Sequence, residues 1–211
     1  MPVHGSFPRP HLRPFRSHLG SASLRTSAVT ASHSFRVLLD NSTVLRRVRE
    51  LAASIGRDFP AESPVGVIVI DGARMFARHL QRHLGKAMEW HEIRASSYGT
   101  GTTSSGSVQV GSQGDLCVAG RSVLLVEDIV DTGRTIAALR ERFLAQGAKE
   151  VRVATLLSKP SRRVVEVELE YVGFEIPDEF VIGFGMDYAG RYRELEEVVV
   201  YEESRAAAGE A

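Results

Sequence analysis

The strongest constraint on the fold is a pattern that occurs twice, in which an apolar, β-branched run leads through a glycine into an amphipathic helix. It is found in PVGVIVIDGARMFARHLQRHLG, starting at Pro64, and in RSVLLVEDIVDTGRTIAALRERFLAQG, starting at Arg121. Runs without polar alternation predict strands that are buried on both faces. Such strands, alternating with helices, predict a one-domain α/β fold. We expect a mostly parallel central sheet flanked by helices, with the ligand beyond the carboxyl ends of the strands.

The remaining segments extend this plan. DNSTVLRRVRELAASIGRDF predicts an amphipathic helix behind a capping cluster at Asp40, and AMEWHEIRAS, VRVATLLS, FVIGFGMDY and EEVVVYEE predict strands. In the second of the two glycine-led helices, we expect Ile136, Leu139, Phe143 and Leu144 to form the apolar stripe. SYGTGTTSSGSVQVGSQG has almost no apolar anchor, which predicts a mobile loop whose tail pairs weakly as a β-ribbon.

Composition argues against two classes of partner. The 26 basic and 26 acidic residues leave no net charge, which argues against a generic nucleic-acid binder. No run approaches the roughly 20 apolar residues of a transmembrane helix. Five arginines and no carboxylate precede Asp40. This Ser-, Thr- and Arg-rich stretch predicts a transit peptide or a disordered extension over residues 1–35, followed by the folded domain over 36–204 and a disordered tail over 205–211.

The single cysteine, Cys117, cannot form an intramolecular disulfide, and one thiol suits a reducing compartment. We therefore expect a cytoplasmic protein, or a plastid or mitochondrial one if the leader is a transit peptide. No activating base or helix start lies near Cys117 in the sequence, so we expect a small packed residue rather than a catalytic thiol.

The stretch VLLVEDIVDTGRT carries the chemistry. Glu127, Asp128 and Asp131 follow directly on a strand predicted over residues 122–126, which places them at the ligand-facing edge. DTGRT then opens a helix, where free amide groups, a glycine and two threonine hydroxyls form a phosphate cradle. Carboxylates accept hydrogen bonds from sugar hydroxyls and hold Mg²⁺, so a sugar phosphate with a metal-bound diphosphate satisfies all of these groups. Helix capping, the alternative role for the acids, needs one carboxylate rather than three.

VLLVEDIVDTGRT resembles the signature of the type I phosphoribosyltransferases, which bind phosphoribosyl pyrophosphate. SSYGTGTTSSG is similar to the mobile loop of the hypoxanthine-guanine phosphoribosyltransferases, and YVGFEIPDEFVIGFGMDYAGRYREL resembles their C-terminal base-binding segment. The resemblance covers about residues 36 to 202. It implies the type I fold with a small hood built from the chain ends, a purine-salvage activity that gives IMP or GMP, and a homodimer or homotetramer.

The resemblance also implies a donor site. The residues that it assigns to phosphoribosyl pyrophosphate are Gly72, Ser97, Tyr98, Glu127, Asp128, Asp131, Thr132, Gly133, Arg134, Thr135 and Arg193. Glu127 and Asp128 would hold the ribose hydroxyls and a first Mg²⁺, Asp187 would hold a second Mg²⁺, and Arg193 would bind the diphosphate. Asp131 is the implied catalytic residue, which handles a proton near purine N7.

The residues that the resemblance assigns to the purine are Ile129, Lys159, Phe180, Val181 and Asp187. Phe180 would stack on the base, across from Ile129, and the carbonyl of Val181 would accept from the 2-amino group of guanine. The ammonium of Lys159 can only donate a hydrogen bond, so it suits a 6-oxo group and rejects the 6-amino group of adenine. The alternative for Lys159 is a solvated surface lysine.

The chain departs from the family pattern at the first pyrophosphate loop. That loop usually reads leucine, lysine, glycine and a small residue, often with a cis peptide, whereas this chain has Ile70, Asp71, Gly72 and Ala73. Asp71 places an anion where a cation is usual, which predicts weaker binding of the diphosphate. Two alternatives stay open, a phosphoribosyl pyrophosphate-sensing regulator with the same fold and a transferase for another base such as xanthine.

Overall fold

The computed structural model describes residues 33–60, 62–97, 108–112 and 116–203 of the 211-residue chain. The helices are α1 (Asn41–Asp58), α2 (Ala73–His83) and α3 (Arg134–Ala145). The strands are β1 (His33–Leu39), β2 (Val65–Ile70), β3 (Trp90–Ser97), β4 (Val108–Ser112), β5 (Ser122–Val130), β6 (Glu150–Ser158), β7 (Tyr171–Glu175), β8 (Val181–Ile182) and β9 (Val198–Glu203). The predicted tail, most of the predicted leader and most of the glycine-rich loop lie outside the described residues.

The central sheet confirms the predicted fold class. Its strand order is β4-β3-β2-β5-β6-β7. The five neighbouring strands β3, β2, β5, β6 and β7 run parallel to one another, and β4 pairs antiparallel with β3 at one edge. β4 is the tail of the glycine-rich segment, so this part of the segment forms the predicted ribbon. Because parallel strands all end at one edge, the carboxyl ends of β2, β5 and β6 lie together.

Alternate residues of β5 pack on opposite faces of the sheet, as the two-residue period of a strand requires. Val123 and Leu125 belong to the core on the α3 side, whereas Leu124 and Val126 belong to the core with α1 and α2. All four side chains are fully buried. Helices cover both faces of the sheet, which is why this strand shows no polar alternation in the sequence.

Asp40 caps α1, as the sequence predicted. Its carboxylate accepts hydrogen bonds from the Ser42 hydroxyl at 2.6 Å and from the Thr43 amide at 2.9 Å. The bond from Ser42, together with those from Thr43, lowers the pKa of Asp40 to about 2. Further along the helix, the buried Arg47 donates to the carbonyl of Gly173 at 2.9 Å, which ties α1 to β7.

α3 buries a narrower stripe than the sequence predicted. Ile136, Leu139 and Phe143 are buried, but Leu144 is 47% exposed, so its assignment to the stripe is wrong. At about 100° per residue, position 144 lies roughly 80° around the helix from Ile136, and the sheet covers only the opposite flank.

The chain ends form a second, antiparallel sheet with strand order β1-β9-β8, which is the small hood that the resemblance implies. β8 is much shorter than the strand predicted from FVIGFGMDY, because it covers only Val181–Ile182. The next residue, Gly183, has a φ of 88°, and a Cβ there would lie 2.1 Å from the carbonyl oxygen of Glu197. The chain therefore turns at this glycine instead of continuing as a strand.

Cys117 is exposed, so the prediction of a packed residue is wrong. The neighbouring Val118 takes the buried position instead, with 1% of its surface exposed.

Among the helices that the structure describes, none is long and apolar enough to cross a membrane.

Candidate functional site

A cleft of about 410 Å³ lies at the carboxyl ends of β2, β5 and β6, with β8 of the hood beside it. The lining residues are Val69, Ile70, Asp71, Gly72, Ala95, Glu127, Asp128, Ile129, Asp131, Thr135, Lys159, Phe180, Val181, Met186, Asp187 and Arg193. Most of the residues predicted for the donor and all of those predicted for the purine therefore share one cavity. The cavity lies at the sheet edge where parallel topology predicts the ligand.

Glu127 and Asp128 lie within β5, because the strand continues to Val130 instead of ending at Val126 as predicted. β2 pairs with β5 as far as Val126, whereas β6 pairs with it as far as Val130. The two acids thus occupy a strand extension that is paired on the β6 side and bordered by the cleft on the other.

The two carboxylates are partly buried and perturb each other. Burial raises the pKa of Glu127 well above its ordinary value, and the charge of Asp128 adds to the rise. Burial also raises the pKa of Asp128. Asp128 Oδ1 accepts from the Ile129 amide at 2.9 Å, but Glu127 Oε2 is buried without a hydrogen-bond partner in the described part of the chain. An unpartnered buried oxygen beside a second carboxylate is a favourable position for a cation.

The acidic pair fits Mg²⁺ better than a metal that needs a full set of protein ligands. Within the described ranges, no group of three or more His, Cys, Asp or Glu side chains is arranged to hold a metal ion. Mg²⁺ is commonly bound through one or two carboxylates and completes its octahedron with water and substrate oxygens. Two adjacent carboxylates at an open cleft match this habit.

Gly72 brings the backbone of the β2–α2 turn against the acidic pair. A Cβ at this position would lie 1.7 Å from Asp128 Oδ2 and 2.6 Å from Asp128 Cγ. Any residue larger than glycine would therefore have to displace the Asp128 carboxylate. The peptide bond between Ile70 and Asp71 in this turn is cis.

The loop from Asp131 to Thr135 encloses a second cavity of about 90 Å³ at the start of α3. Gly133 precedes the helix with a φ of 83° and offers no side chain to cap it, and the Arg134 amide makes only a long contact of 3.5 Å with the Thr132 hydroxyl. Uncapped amides at a helix N-terminus attract an anion. Thr132 and Thr135 also line this cavity, whereas the side chain of Arg134 is exposed.

The segment after β6 holds this loop in place. The backbone amides of Val164 and Val165 both donate to the Thr132 carbonyl at 3.0 Å. The guanidinium of Arg163 donates to the Asp131 carbonyl at 2.9 Å. The shape of the loop therefore depends on residues that follow the next strand.

Asp131 and Lys159 belong to one network of ion pairs. Arg162 Nε lies 3.0 Å from Asp131 Oδ1, and Arg162 Nη1 lies 3.4 Å from Asp178 Oδ2. The other oxygen of Asp178 lies 3.7 Å from Lys159 Nζ. Lys159 is only 8% exposed, so the alternative of a solvated surface lysine is wrong. Asp178 thus connects Lys159, which is predicted to contact the purine, with Arg162, the partner of the predicted proton-handling residue Asp131.

Phe180 and Val181 border the cleft at the hood. Phe180 is 51% exposed, and it contacts Tyr188 edge-on with 5.8 Å between ring centroids. The amide of Tyr201 donates to the Phe180 carbonyl at 2.9 Å, which makes these two residues a hydrogen-bonded pair of the antiparallel ladder. The next pair, Val181 with Val200, is then non-hydrogen-bonded. The carbonyl of Val181 consequently points away from β9, as acceptance from a ligand requires.

Asp187 and Arg193 form an ion pair, with 2.8 Å between Asp187 Oδ1 and Arg193 Nη2. Arg193 Nη1 also donates to the Gly185 carbonyl at 2.7 Å, and Asp187 Oδ2 accepts from the Gly190 amide at the same distance. The sequence predicted separate partners for these two side chains, a metal and a diphosphate. In the structure they are fixed by each other and by the turn that connects them.

Asp71, the departure from the family pattern, has two cationic partners. Arg74 Nη1 lies 3.1 Å and Arg94 Nη2 lies 3.2 Å from Asp71 Oδ1. The charge of this anion is therefore balanced locally, which sequence reasoning did not foresee.

Ser97 ends β3, but its side chain and the whole of Tyr98 lie outside the described residues.

Among the charged residues that pair with groups of the site, Arg94, Arg162 and Asp178 were not predicted from the sequence. Each acts through an ion pair with a residue from another segment, so no local motif marks it. The only sequence signal was position, since Arg162 follows Lys159 by three residues and Asp178 lies in the base-binding segment that starts at Tyr171.

Comparisons with known proteins agree with this geometry. The chain matches the phosphoribosyl transferase domain family over residues 36–189. The hypoxanthine-guanine phosphoribosyltransferase of Streptococcus thermophilus (strain CNRZ 1066) is 39% identical over 168 residues, which cover 80% of this chain and 93% of that protein. The crystal structure of a hypoxanthine phosphoribosyltransferase from Staphylococcus aureus matches with a TM-score of 0.76 and 33% identity, over 79% of this chain and 91% of that chain.

A crystal structure of a hypoxanthine-guanine phosphoribosyltransferase from Bacillus anthracis matches with a TM-score of 0.74 and 39% identity, over 78% of this chain and 97% of that chain. Identity and coverage of this size extend the match well beyond the signature motif. The chain therefore belongs to the phosphoribosyl transferase domain family and, within it, to the hypoxanthine-guanine phosphoribosyltransferases.

Proposed function

We propose that this protein is a purine-salvage enzyme that transfers the 5-phosphoribosyl group from phosphoribosyl pyrophosphate to N9 of hypoxanthine or guanine. The products are IMP or GMP and pyrophosphate. The observation that carries the proposal is that one cleft contains groups suited to both substrates. A partly buried acidic pair beside a helix N-terminus suits the sugar phosphate, and a buried lysine near an outward-directed carbonyl suits a 6-oxopurine.

For the donor, the 5′-phosphate would occupy the cavity at the start of α3, where helix amides and threonine hydroxyls can donate to its oxygens. The ribose hydroxyls would donate to Glu127 and Asp128. This arrangement accounts for Glu127 Oε2, because a buried carboxylate oxygen without a hydrogen bond is costly.

We further propose that Glu127 and Asp128 hold a first Mg²⁺ and that Asp187 holds a second. The chemistry of the donor set supports this assignment, since hard carboxylate oxygens are the usual protein ligands of Mg²⁺. When bound, the metal supplies positive charge that stabilises the leaving diphosphate.

For the acceptor, Lys159 would donate to O6, and the Val181 carbonyl would accept from the 2-amino group of guanine. Phe180 and Ile129 would hold the ring plane between them. Because Lys159 is buried, an adenine 6-amino group would leave two donors facing each other, at a cost of about 1–3 kcal/mol. The cleft should therefore favour 6-oxopurines.

In the reaction, N9 attacks C1′ as the bond from C1′ to the diphosphate oxygen breaks, with inversion at C1′. Asp131 would handle the proton near N7, and its ion pair with Arg162 orients the carboxylate at the cleft. Arg193 would contribute charge at the departing diphosphate. Exclusion of water during this step would protect the cationic sugar centre from hydrolysis.

A turnover assay with phosphoribosyl pyrophosphate and Mg²⁺ tests the proposal, with hypoxanthine, guanine, xanthine and adenine offered separately. We expect nucleotide from the first two bases. Turnover of xanthine alone would favour the transferase for another base. Donor binding without turnover of any base would favour the phosphoribosyl pyrophosphate-sensing regulator. The similarity to the Streptococcus thermophilus phosphoribosyltransferase argues against that outcome.

We also propose that the protein forms a homodimer or homotetramer and works in the cytoplasm, or in a plastid or mitochondrion if the leader is a transit peptide. Exposed apolar side chains on β1 support an assembly, since Phe35 and Val37 are each about half exposed. Light scattering after size-exclusion chromatography would measure the assembly. Mass spectrometry of the native N-terminus would show whether the leader is removed.

A further inference from the structure

We propose that Arg94 is a diphosphate-binding residue of this transferase and that Asp71 positions its guanidinium at the cleft. The inference rests on the proposed function, because it concerns the diphosphate of the same donor. It reverses the expectation from sequence that Asp71 weakens diphosphate binding.

The charge of the cleft is the first step of the argument. The charged residues that line it are Asp71, Glu127, Asp128, Asp131 and Asp187 on the acidic side and Lys159 and Arg193 on the basic side. The two cations are already engaged, Lys159 with Asp178 and Arg193 with Asp187. Beyond the charge that Mg²⁺ would supply, further positive charge near the β2–α2 turn would favour a strongly anionic diphosphate in such a cleft.

β3 brings Arg94 to that turn. Arg94 is in register with Ile70, the last residue of β2, and the next residue, Ala95, lines the cleft. The guanidinium donates to both oxygens of Asp71, from Nη2 to Oδ1 at 3.2 Å and from Nη1 to Oδ2 at 3.3 Å. Asp71 directly precedes Gly72, whose backbone lies against the acidic pair. The positive charge of Arg94 therefore lies beside the backbone that the diphosphate would approach.

Asp71 is also held by Arg74, whose three guanidinium nitrogens all donate hydrogen bonds. Arg74 donates to Asp71 Oδ1 at 3.1 Å and makes two further hydrogen bonds to Glu92, at 3.0 and 2.8 Å. These two bonds lower the pKa of Glu92. The four side chains form a series of alternating charge in the order Glu92, Arg74, Asp71, Arg94. The anchored end is Glu92 with Arg74, and the end nearest solvent is Arg94, whose side chain is 64% exposed.

The chemistry of the guanidinium explains how one carboxylate can prepare an arginine for an anion. A guanidinium has five N–H donors in a plane, and the fork that it makes with a carboxylate fixes the direction of the rest. Asp71 takes two of these donors, so others can reach diphosphate oxygens. A flexible lysine in this loop would place one point charge there. The pair of Asp71 and Arg94 instead supplies an oriented cation from the neighbouring strand.

Two variants and a matched control test the inference. Arg94→Ala removes the cation, Asp71→Asn removes the charge that orients it, and Arg49→Ala removes an exposed arginine from α1. Affinity for inorganic pyrophosphate with Mg²⁺ is measured by isothermal titration calorimetry, and KM is measured for donor and base separately. Since Arg94 is largely exposed, its replacement should leave the thermal unfolding midpoint unchanged.

We expect Arg94→Ala to weaken pyrophosphate binding and to raise the donor KM by about tenfold or more, because one charge-assisted hydrogen bond is lost. The KM for hypoxanthine should stay constant. Arg94→Lys should restore part of the affinity. Asp71→Asn should also weaken pyrophosphate binding, although it removes a negative charge from the site. In the double variant the loss should not exceed that of Arg94→Ala, because Asp71 acts through Arg94.

Tighter pyrophosphate binding in Asp71→Asn would overturn the inference, since Asp71 would then be a purely repulsive anion. Unchanged pyrophosphate affinity in Arg94→Ala would overturn it as well, and a simultaneous loss of the oligomer would assign Arg94 to a subunit contact. Failure of the proposed function looks different, because the unsubstituted protein would then form no nucleotide from any base. The pyrophosphate titration reports on Arg94 and Asp71 without turnover.

Discussion

Replacing Lys159 with methionine tests the assignment of the acceptor most directly. The change removes the ammonium but keeps a long, unbranched side chain at a position that is only 8% exposed. Asp178 loses a partner 3.7 Å away, yet it keeps Arg162 at 3.4 Å and its own side chain is half exposed. The free energy of unfolding should therefore change by less than about 1 kcal/mol.

The effect on activity should be much larger. A hydrogen bond from a charged donor contributes about 1.5–3 kcal/mol, and each 1.4 kcal/mol corresponds to a factor of ten. We expect kcat/KM for hypoxanthine and guanine to fall by about ten- to a hundredfold. Because the mismatch with a 6-amino group also disappears, discrimination against adenine should weaken by a similar factor.

Initial rates for each base at saturating donor would measure these changes. Lys149 offers a matched control, since it is exposed and lies just before β6, whereas Lys159 lies just after it. Lys149→Met should leave kcat/KM unchanged for all bases. If Lys159→Met retained full kcat/KM for both 6-oxopurines in a folded protein, the reasoning about O6 would be refuted. A weakened affinity for the donor would instead indicate a structural role for the lysine.

Three further predictions follow from single groups. Gly72→Ala should lower kcat on the order of a hundredfold, because its Cβ would displace the Asp128 carboxylate by more than 1 Å; unchanged turnover would contradict this. Asp131→Asn should lower kcat by about a hundredfold with little change in pyrophosphate affinity by calorimetry, whereas equal losses in both would argue against a proton-handling role. Asp40→Ala should cost about 1 kcal/mol in urea unfolding at neutral pH. Since the pKa of Asp40 is lowered from 3.8 to about 2 in the folded protein, its contribution is present above pH 3.8 and is lost as pH falls towards 2. A constant difference between variant and parent across that range would refute the capping argument.

Much of the fold could be predicted because it depends on local patterns. The run at Val123 to Val126 is apolar because helices cover both sheet faces, and the structure places its alternate residues in two separate cores. The errors occurred where neighbours decide the outcome. β5 continues through Glu127 and Asp128 because β6 supplies ladder partners, and Leu144 is exposed because the sheet does not extend around α3 to reach it.

The same division holds for the candidate site. The acids of β5, the loop before α3 and Lys159 were predicted from motifs, since each is marked by a short run of sequence. The ion pairs that organise these groups were not predicted. Arg162 reaches Asp131 across 31 positions, and Arg94 reaches Asp71 across 23, so no short window of the sequence contains both partners.

By itself, the sequence determined the α/β class, the acidic strand end with its phosphate loop, and the presence of an anion where a lysine is usual. These follow from strand period, turn chemistry and the charge of single residues, which are local properties. Only the tertiary structure decided which groups surround that anion. Parallel pairing of β2 with β3 places Arg94 beside Ile70, and the first turn of α2 brings Arg74 to the same carboxylate. Whether a charge repels or orients depends on its neighbours in space, and the neighbours of Asp71 are two arginines.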